Sequence, residues 1–302
     1  MKRILITGTN SYIGTSLERW LKKYPNKYEV KLVSLRDGSW KEEDFSAYDV
    51  VFHVAAIVHN KEKSEMKELY HKINTDLTIE LANKSKESGI KHFIFMSSMS
   101  VYGIEGKIGK EVIIKENTPC YPQTYYGKSK LQAEQQLSNL EDEKFIISII
   151  RAPMIYGPNC MGNYIKLRKL AVRLPIFPAT NNRRSMLYID NLSECIRLII
   201  DNQDSGLFFP QNKEYVNTSQ LVKLIAKENL KGIYLSNVLR FIISFFCKKI
   251  NIFGKVFGNL VYDFNLSNYR NFEYCIFEFD ESVSLSEQKN RANNLNEDEE
   301  YI

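Results

Sequence analysis

Histidine and cysteine are scarce in this sequence, and the few that occur are dispersed. The chain has four histidines and five cysteines in 302 residues, with no CxxC, no HxxxH and no mixed cluster. Since protein metal sites need such ligands at short spacing, we expect no bound metal. Isolated cysteines are typical of free thiols in a reducing compartment, so a cytoplasmic location is expected.

Strong charge of one sign and long apolar runs are also missing. The 41 basic and 36 acidic residues are scattered and leave a net charge of +5, which predicts no nucleic-acid partner. The most apolar stretch, VLRFIISFFC at 238–247, contains Arg240 and is too short to cross a bilayer, so no transmembrane segment is expected. It predicts a helix packed in the core or between domains, with a helix on a membrane surface as the alternative. The opening MKRILITG is itself typical of a strand, so no leader is expected.

Short apolar runs alternate with longer helical patterns through the first half of the chain. Near-continuous apolar strands separated by amphipathic helices indicate a parallel sheet covered on both faces. The expected fold class is therefore α/β, a doubly wound parallel sheet of the Rossmann type, with residues 1–153 as the dinucleotide-binding domain. The strands are expected at 3–8, 29–35, 49–56, 92–98 and 144–153, and the helices at 16–24, 73–89 and 127–140.

The regular alternation ends after residue 153. Residues 185–205 contain a strand and a helix that could return to the main sheet. The remainder, 154–184 and 206–285, predicts a smaller C-terminal substrate lobe. Residues 286–302 are polar and charged with almost no apolar side chain, so a disordered tail is expected.

The first strand leads into TGTNSYIG, residues 7–14, which predicts a phosphate-binding turn. Gly8 and Gly14 allow the backbone to approach a pyrophosphate, and the next helix directs its N-terminal amides at that charge. The turn and the start of the helix supply the other expected cofactor contacts, which are Asn10, Ser11, Tyr12 and Ile13.

The end of the second strand distinguishes the two nicotinamide cofactors. Ser34 lies where a carboxylate would bind the ribose of NAD, and Arg36 could pair with the 2′-phosphate of NADP. We therefore expect NADP(H) to be preferred and NAD(H) to be possible, since the neighbouring Asp37 could reverse the preference. After the third strand, HVAA places small residues at Ala55 and Ala56, where a cofactor could lie close to the backbone.

Tyr126 and Lys130 are four residues apart in TYYGKSK, so on a helix they share one face. An ammonium group near a phenol favours the phenolate and lowers its pKa. Tyr126 could then exchange a proton with a substrate oxygen while Lys130 reaches the cofactor, so both residues are candidate catalytic and cofactor-binding groups. His53 lies within an apolar strand, which predicts a buried, hydrogen-bonded histidine rather than a catalytic one.

These motifs together resemble the extended short-chain dehydrogenase/reductases, the NAD-dependent epimerase/dehydratase family. The family's first turn is TGxxGxxG, from which this chain departs by having Ser11 for the middle glycine. FMSSMSVYG at 95–103 resembles the family segment SSxxVYG, which implies that Ser98 is catalytic and binds the substrate oxygen, with Ser97 and Ser100 as alternatives.

The resemblance also implies residues that bind the cofactor and the substrate. RAPMIYGP at 151–158 is similar to the family's RPxxxYGP, with Ala152 for the first proline, and places Pro153 at the cofactor. RRSMLYIDNL at 183–192 implies that Arg184, or alternatively Arg183, meets a nucleotide diphosphate, for which an arginine fork is well suited. GNYIKL implies that Asn163 lies near the uracil.

Within the family, the sequence looks most like the bacterial capsule and O-antigen nucleotide-sugar 4-ketoreductases. That resemblance implies reduction of a UDP-4-keto-6-deoxy-N-acetylhexosamine for surface polysaccharide, and a homodimer is possible. The alternative is a UDP-hexose 4-epimerase that keeps NAD tightly bound. A dehydratase is disfavoured because Met99 and Ser100 replace its Asp–Glu pair, and a non-catalytic sensor because both Tyr126 and Lys130 are present.

Overall fold

The computed structural model describes residues 1–58, 63–246 and 251–299. The strands, in chain order, are β1 (Lys2–Thr7), β2 (Tyr28–Val33), β3 (Val50–His53), β4 (His92–Ser98), β5 (Ile113–Ile114), β6 (Ile146–Ala152), β7 (Met154–Tyr156), β8 (Ile176–Pro178), β9 (Met186–Tyr188), β10 (Gly206–Phe208), β11 (Tyr234–Ser236) and β12 (Val261–Tyr262). The helices are α1 (Tyr12–Leu21), α2 (Lys67–His71), α3 (Leu77–Glu87), α4 (Tyr125–Ser138), α5 (Asn163–Arg173), α6 (Ile189–Asn202), α7 (Thr218–Glu228), α8 (Asn237–Phe246), α9 (Asn251–Phe257), α10 (Phe264–Ser267) and α11 (Phe279–Glu299), with a π-helical turn, Lys72–Asp76, joining α2 to α3.

The main sheet has six parallel strands in the order β10-β6-β4-β3-β1-β2. Its central strands are buried and mostly apolar in their middle, as in Leu5 of β1 and Phe93 of β4, because both faces are covered by helices. One core cluster joins Leu5 and Phe93 of the sheet to Leu81 of α3 and Leu137 of α4. This is the doubly wound Rossmann architecture that the alternating pattern predicts, and the strand order reverses between β1 and β3, where ligands bind in such sheets.

The chain forms two compact units. The first comprises residues 1–104, 117–153 and 192–210, and the second comprises 105–116, 154–191 and 211–302.

Two strand assignments made from the sequence need correction. Of residues 185–205, the strand does not return to the main sheet, because β9 pairs in parallel with β7 in the second unit, whereas residues 192–205 do belong to the first unit. The sheet is instead extended by β10, whose Gly206 pairs with Ser148 of β6, inside the range assigned to the substrate lobe. Both strands are three residues long, so apolar pattern alone could not identify their partners.

The expected disordered tail at 286–302 is wrong for the part that the structure describes, since α11 continues through Glu299. Phe279 and Val283 bury the start of the helix, and from residue 286 onward the fully buried side chains that the structure describes are polar. Ser286 and Glu287 are fully buried, and Glu287 accepts hydrogen bonds from Tyr164 Oη (2.9 Å) and Arg168 Nε (2.7 Å).

The apolar stretch at 238–247 forms α8, except for Cys247, which lies outside the described residues. It is not the fully packed helix expected from the sequence, because Phe241 and Phe245 are 65% and 67% exposed. Among the described residues no helix is long and apolar enough to cross a membrane. No metal-ligand cluster of three or more His, Cys, Asp or Glu side chains is found in the same residues.

Candidate active site

Helix α4 begins beside the carboxyl end of β4, and this brings Tyr126 to the serine-rich turn. Thr124 caps the helix by accepting a hydrogen bond from Gly127 N at 3.0 Å. A Cβ atom on Gly127 would lie 2.6 Å from the carbonyl oxygen of Ser100, so only glycine allows the helix to approach this closely. Gly127 is absent from the residues predicted above, although a glycine in the first turn of a helix is a visible signal of close packing.

Of the three candidate serines, Ser98 is the one hydrogen-bonded to Tyr126. Its Oγ accepts from Ser100 N (3.2 Å) and lies 3.0 Å from Ser100 Oγ, which donates to it. Because a hydroxyl has two lone pairs and one proton, these two bonds leave the Ser98 proton to be donated towards Tyr126. Ser100 therefore orients Ser98.

Ser97 has a different role, because it is buried and donates to the Glu134 carboxylate. Glu134 also binds Arg151, whose Nη2 is 2.6 Å from Oε2, and Arg151 donates to Tyr102 Oη at 2.8 Å. This buried ion pair ties α4 to β6 and to the turn after β4. The pair could not be found from the sequence, because neither residue stands out from the many charged positions.

Lys130 is fully buried on the face of α4 that covers β4. Its ammonium donates to Met96 O at 2.8 Å and lies 4.4 Å from the centre of the Phe95 ring. Burial lowers the pKa of Lys130 to about 7, against the charge of Glu134, which raises it. Burial raises the pKa of Tyr126 to about 12, while the hydrogen bond from Ser98 lowers it. The sequence predicts that Lys130 lowers the pKa of Tyr126, but in the chain alone the lowering comes from Ser98, and burial outweighs it.

The turn between β1 and α1 has the conformation expected of a phosphate-binding site. Gly8 has a φ of +89°, and a Cβ on Gly14 would lie 3.2 Å from Ile6 and Val54 side-chain atoms. Ser11, which replaces the family's middle glycine, has a φ of −73° and needs no glycine. Its Oγ accepts from Gly14 N at 3.2 Å and so caps α1. Asn10 is exposed, and Tyr12 and Ile13 are half-buried in the first turn of the helix.

At the end of β2, Arg36 is exposed and lines a groove of about 680 Å³. The carboxylate of Asp37 accepts hydrogen bonds from Ser39 Oγ (2.7 Å) and Ser39 N (3.1 Å), which hold its pKa below the usual value. Asp37 is thus already engaged within its own turn. Pro153, the remaining cofactor candidate, is buried directly after β6.

His53 is buried and hydrogen-bonded, as the sequence predicts. Its Nδ1 is 2.7 Å from Thr7 Oγ1 and its Nε2 is 2.8 Å from Thr78 Oγ1. Thr78 donates onward to the Asn74 carbonyl, which assigns the histidine proton to Nε2. Thr7 also accepts from Ala55 N at 3.3 Å, so this network fixes the backbone that precedes Ala56.

The π-helical turn carries Asn74, which sequence reasoning missed. Its Oδ1 accepts from Ile57 N at 2.8 Å, and its Nδ2 donates to Ser129 Oγ at 3.1 Å. Asn74 thus bridges the loop that follows Ala56 to the helix that carries Tyr126 and Lys130. π-turns are frequent at functional sites, but no pattern in the sequence predicts one here.

In the second unit the structure separates the two candidate arginines. Arg183 is 53% exposed at its side chain and is in an ion pair with Glu111. Arg184 is half-buried and donates to Gly258 O at 3.0 Å, and within the described residues it has no acidic partner. Burial lowers its pKa to about 10, which marks an uncompensated cation. Asn163 is the exposed first residue of α5.

The first unit therefore fits a dinucleotide. The glycine turn leaves the backbone accessible to a pyrophosphate at the start of α1, and Ala55 is small where a close approach is needed. Ser98, Tyr126 and Lys130 all lie in this unit, with Ser98 and Tyr126 in contact. Together they can hold a cofactor and move a proton.

Comparison with known proteins agrees with this geometry. A UDP-glucose 4-epimerase from Vibrio cholerae is 32% identical over 281 residues, which span 85% of this chain and 83% of that protein. An N-acetyl-alpha-D-glucosaminyl-diphospho-ditrans,octacis-undecaprenol 4-epimerase from Escherichia coli O157:H7 is 27% identical, covering 72% and 70%. The solved structure of a UDP-glucuronic acid 4-epimerase from Bacillus cereus in complex with NAD has the same fold, with a TM-score of 0.72, 19% identity and 96% of each chain covered. The family model for NAD dependent epimerases and dehydratases matches residues 4–209, and the chain belongs to this family.

Proposed function

We propose that this protein is a 4-epimerase of diphosphate-linked sugars that uses a tightly bound nicotinamide cofactor. The observation that carries the proposal is the hydrogen bond between Ser98 and Tyr126 at the start of α4, with Lys130 one turn further on. The epimerases among the relatives support this function over the 4-ketoreductase that the sequence alone favours.

Tyr126, Ser98 and Lys130 have separate roles in the proposed epimerisation. A bound nicotinamide would take a hydride from C4 of the sugar and return it to the opposite face. Tyr126 accepts the proton of the C4 hydroxyl and later gives it back. Ser98, already oriented as a donor by Ser100, offers its proton to the same oxygen. In its protonated form Lys130 would add positive charge one turn from Tyr126 and so favour the phenolate form of the tyrosine.

Arg184 supports a diphosphate in the substrate. It is a half-buried cation whose guanidinium, within the described residues, is bonded to the Gly258 carbonyl and to no carboxylate. A diphosphate would supply the missing negative charge in bidentate geometry. The names of the two relatives differ in what carries that diphosphate, a uridine in one and a polyprenol in the other, so both carriers are candidates.

The cofactor follows from the proposed reaction. An epimerase must retain its cofactor through both hydride transfers, and NAD is the cofactor that the family name specifies. The preference for NADP(H) expected from Arg36 has no support from the relatives, so we propose NAD as the cofactor. The expected homodimer stays a prediction.

The test measures epimerisation and reduction side by side. Purified protein is incubated with UDP-glucose and with UDP-N-acetylglucosamine, without added cofactor, and the products are separated by chromatography. We expect C4 epimers and the release of NAD on acid denaturation. Stoichiometric oxidation of NADPH by a UDP-4-keto-6-deoxy sugar, with no epimer formed, would assign the ketoreductase instead.

A matched pair of variants assigns the acid–base group. We expect Tyr126→Phe to lower kcat by about 10²- to 10⁴-fold while retaining bound cofactor, because one phenol oxygen is lost. Tyr125→Phe removes the neighbouring phenol oxygen and should leave kcat nearly unchanged. Equal effects of the two variants would refute the role of Tyr126.

A further inference from the structure

Helix α8 exposes an apolar face. Val238, Phe241, Ile242 and Phe245 are 69%, 65%, 41% and 67% exposed. Their spacing of three, four and seven residues places them on one side of the helix. Leu239 and Ile243 are half-buried, and α8 packs against β8. The helix is thus attached by one side and presents large apolar side chains on another.

The apolar face continues beyond the helix. Tyr234 of β11, which leads directly into α8, is 69% exposed and pairs with Ile176 of β8, which is 41% exposed. Leu230, in the turn before β11, is 88% exposed. We call these seven residues the α8 surface, and it lies entirely in the second unit. Monomeric soluble proteins rarely expose so many large apolar side chains together.

Cations border this surface. Lys223, Lys227 and Lys231 are exposed around a groove of about 580 Å³ that Leu230 also lines. Within the described residues none of the three lysines is in an ion pair, and Arg240 on α8 is exposed as well. The segments 165–176 and 223–246 contain eight Lys or Arg residues and one acidic residue, Glu228, although the whole chain has a net charge of only +5. One of the eight, Arg168, is paired with Glu287, so the excess of positive charge in these segments comes from the other seven.

We propose that the α8 surface binds an anionic phospholipid membrane. Large apolar side chains beside cations are what an interfacial helix needs, since it buries the former below the headgroups and pairs the latter with phosphates. At ten residues α8 is too short to span a bilayer, so the helix lies along the surface. A second copy of the chain fits less well, because two such surfaces would bring their lysines together.

Vesicle sedimentation of the full-length protein tests the proposal. We expect the protein to pellet with phosphatidylcholine–phosphatidylglycerol vesicles at low salt and to remain in solution with phosphatidylcholine alone. Because surface charge attraction is screened, binding should weaken as salt is raised. Absence of binding to anionic vesicles, or equal binding to both kinds, would overturn the proposal.

Two variants locate the binding surface. Phe241→Ser with Phe245→Ser should weaken vesicle binding at least about tenfold, because the inserted apolar groups are lost. Replacing Lys223, Lys227 and Lys231 by Gln should weaken vesicle binding by a similar factor or more, because each lysine removed should cost about fivefold in affinity. The controls are in the first unit: Tyr121→Ser, which is 69% exposed before the change, and Lys91→Gln with Lys144→Gln. These controls should bind like the unaltered protein.

Activity and oligomeric state distinguish a membrane-binding surface from a misfolded variant and from a dimer interface. The Phe241/Phe245 variant should keep the thermal unfolding midpoint of the unaltered protein and its epimerase turnover in solution, and the first alone shows that it is folded. Vesicle binding does not need turnover, so failure of the proposed function leaves this test intact. Sedimentation velocity that finds a dimer broken by the Phe241/Phe245 changes, with no vesicle binding, would assign the surface to a second copy and refute the lipid.

Discussion

Two serines at the end of β4 have different tasks. Ser98 is hydrogen-bonded to Tyr126. Ser100 donates two hydrogen bonds to Ser98 Oγ, from its N–H and its hydroxyl, and this leaves the Ser98 proton to be donated to Tyr126. The sequence could place three serines at this turn but could not rank them, because the ranking depends on hydroxyl directions that only the folded turn defines. The family resemblance favours Ser98, and the geometry is consistent with that choice.

We predict that Ser100→Ala lowers kcat about five- to tenfold, with KM nearly unchanged. The loss of one donor releases the Ser98 hydroxyl from its orientation, and a neutral hydrogen bond is worth about 1 kcal/mol. Steady-state kinetics on the preferred sugar would measure the loss of kcat. Ser100→Thr should restore the activity. Ser138→Ala, an exposed serine further along α4, is the control. A larger loss from Ser100→Ala than from Ser98→Ala would make Ser100 the catalytic group.

Arg183 and Arg184 show the same limit of sequence reasoning. Adjacent arginines are indistinguishable by type, and the resemblance alone favours the second. Glu111, which is distant in sequence, neutralises Arg183, while Arg184 turns inward to a carbonyl. Sequence could identify a cationic pair here, but only the fold shows which member is already neutralised.

Among the elements, helix α4 can pack as closely as it does against the turn after β4 only because residue 127 is a glycine. The helix approaches the turn after β4 so closely that a Cβ on Gly127 would lie 2.6 Å from Ser100 O. A real contact this short does not occur, so the helix or the turn must move. This position decides how far Tyr126 is from Ser98.

We therefore predict that Gly127→Ala lowers kcat/KM at least about 100-fold while the protein stays folded. A displacement of about 1 Å at a catalytic group can cost this much. Kinetics and thermal melting together would test it. The control is Gly89→Ala, which has open space at its Cβ and, because its φ is +80°, should lower the stability but not the activity of the folded enzyme. Unchanged kcat/KM in Gly127→Ala would show that the approach of α4 is not needed.

Helix α11 escaped prediction because its sequence carries few apolar residues. Its buried apolar residues, Phe279 and Val283, lie before residue 286, and the fully buried side chains described after them are Ser286 and Glu287, which a hydrophobic pattern does not predict to be buried. Glu287 replaces apolar packing by hydrogen bonds from Tyr164, Arg168 and Asn229. Hydrophobic periodicity identifies helices held by apolar contacts and misses one held by a buried carboxylate.

The corresponding prediction is that Glu287→Gln destabilises the protein by about 2–3 kcal/mol. The change leaves the partly exposed Arg168 without its counter-charge, so the cost should fall somewhat below that of breaking a fully buried ion pair. Urea unfolding would measure it. Lys289→Gln, at an exposed position two residues later on α11, should change the stability by less than about 0.5 kcal/mol. Equal stabilities of the two variants would contradict the role of Glu287.

At the scale of the whole molecule, the alternation of strands and helices through residue 153 follows from the sequence because five strands of the main sheet are marked by apolar runs, whereas the three-residue β10 was missed. The short strands of the second unit do not follow from the sequence, since two or three residues carry no readable period. Their pairings depend on contacts between residues far apart in the chain, as between β5 and β12.

The stability of the whole protein should fall in mild acid. Burial lowers the pKa of His53 to about 3, with a further contribution from the charge of Lys130, and that of His92 to about 4. Above the unfolded value of 6.5 both states are neutral. Below it the unfolded chain takes up protons that the folded chain refuses, at about 1.4 kcal/mol per pH unit for each histidine.

We expect the free energy of unfolding to drop by about 4 kcal/mol between about pH 7 and about pH 5 for the two histidines together. Urea denaturation at the two pH values measures it. Replacing the exposed His71 by Gln should leave the drop unchanged, whereas His92→Gln should roughly halve it. A free energy of unfolding that is equal at both pH values would contradict the assignment.

Asn74 ties together two regions that are distant in sequence, the loop at Ile57 and the helix at Ser129. Whatever restrains that loop also restrains the helix, and thermodynamic linkage makes the effect reciprocal. Cofactor binding and the position of the Tyr126 phenol on α4 are then thermodynamically coupled. A protein emptied of its dinucleotide should accordingly bind its sugar substrate more weakly, even though no atom of the sugar site has been changed.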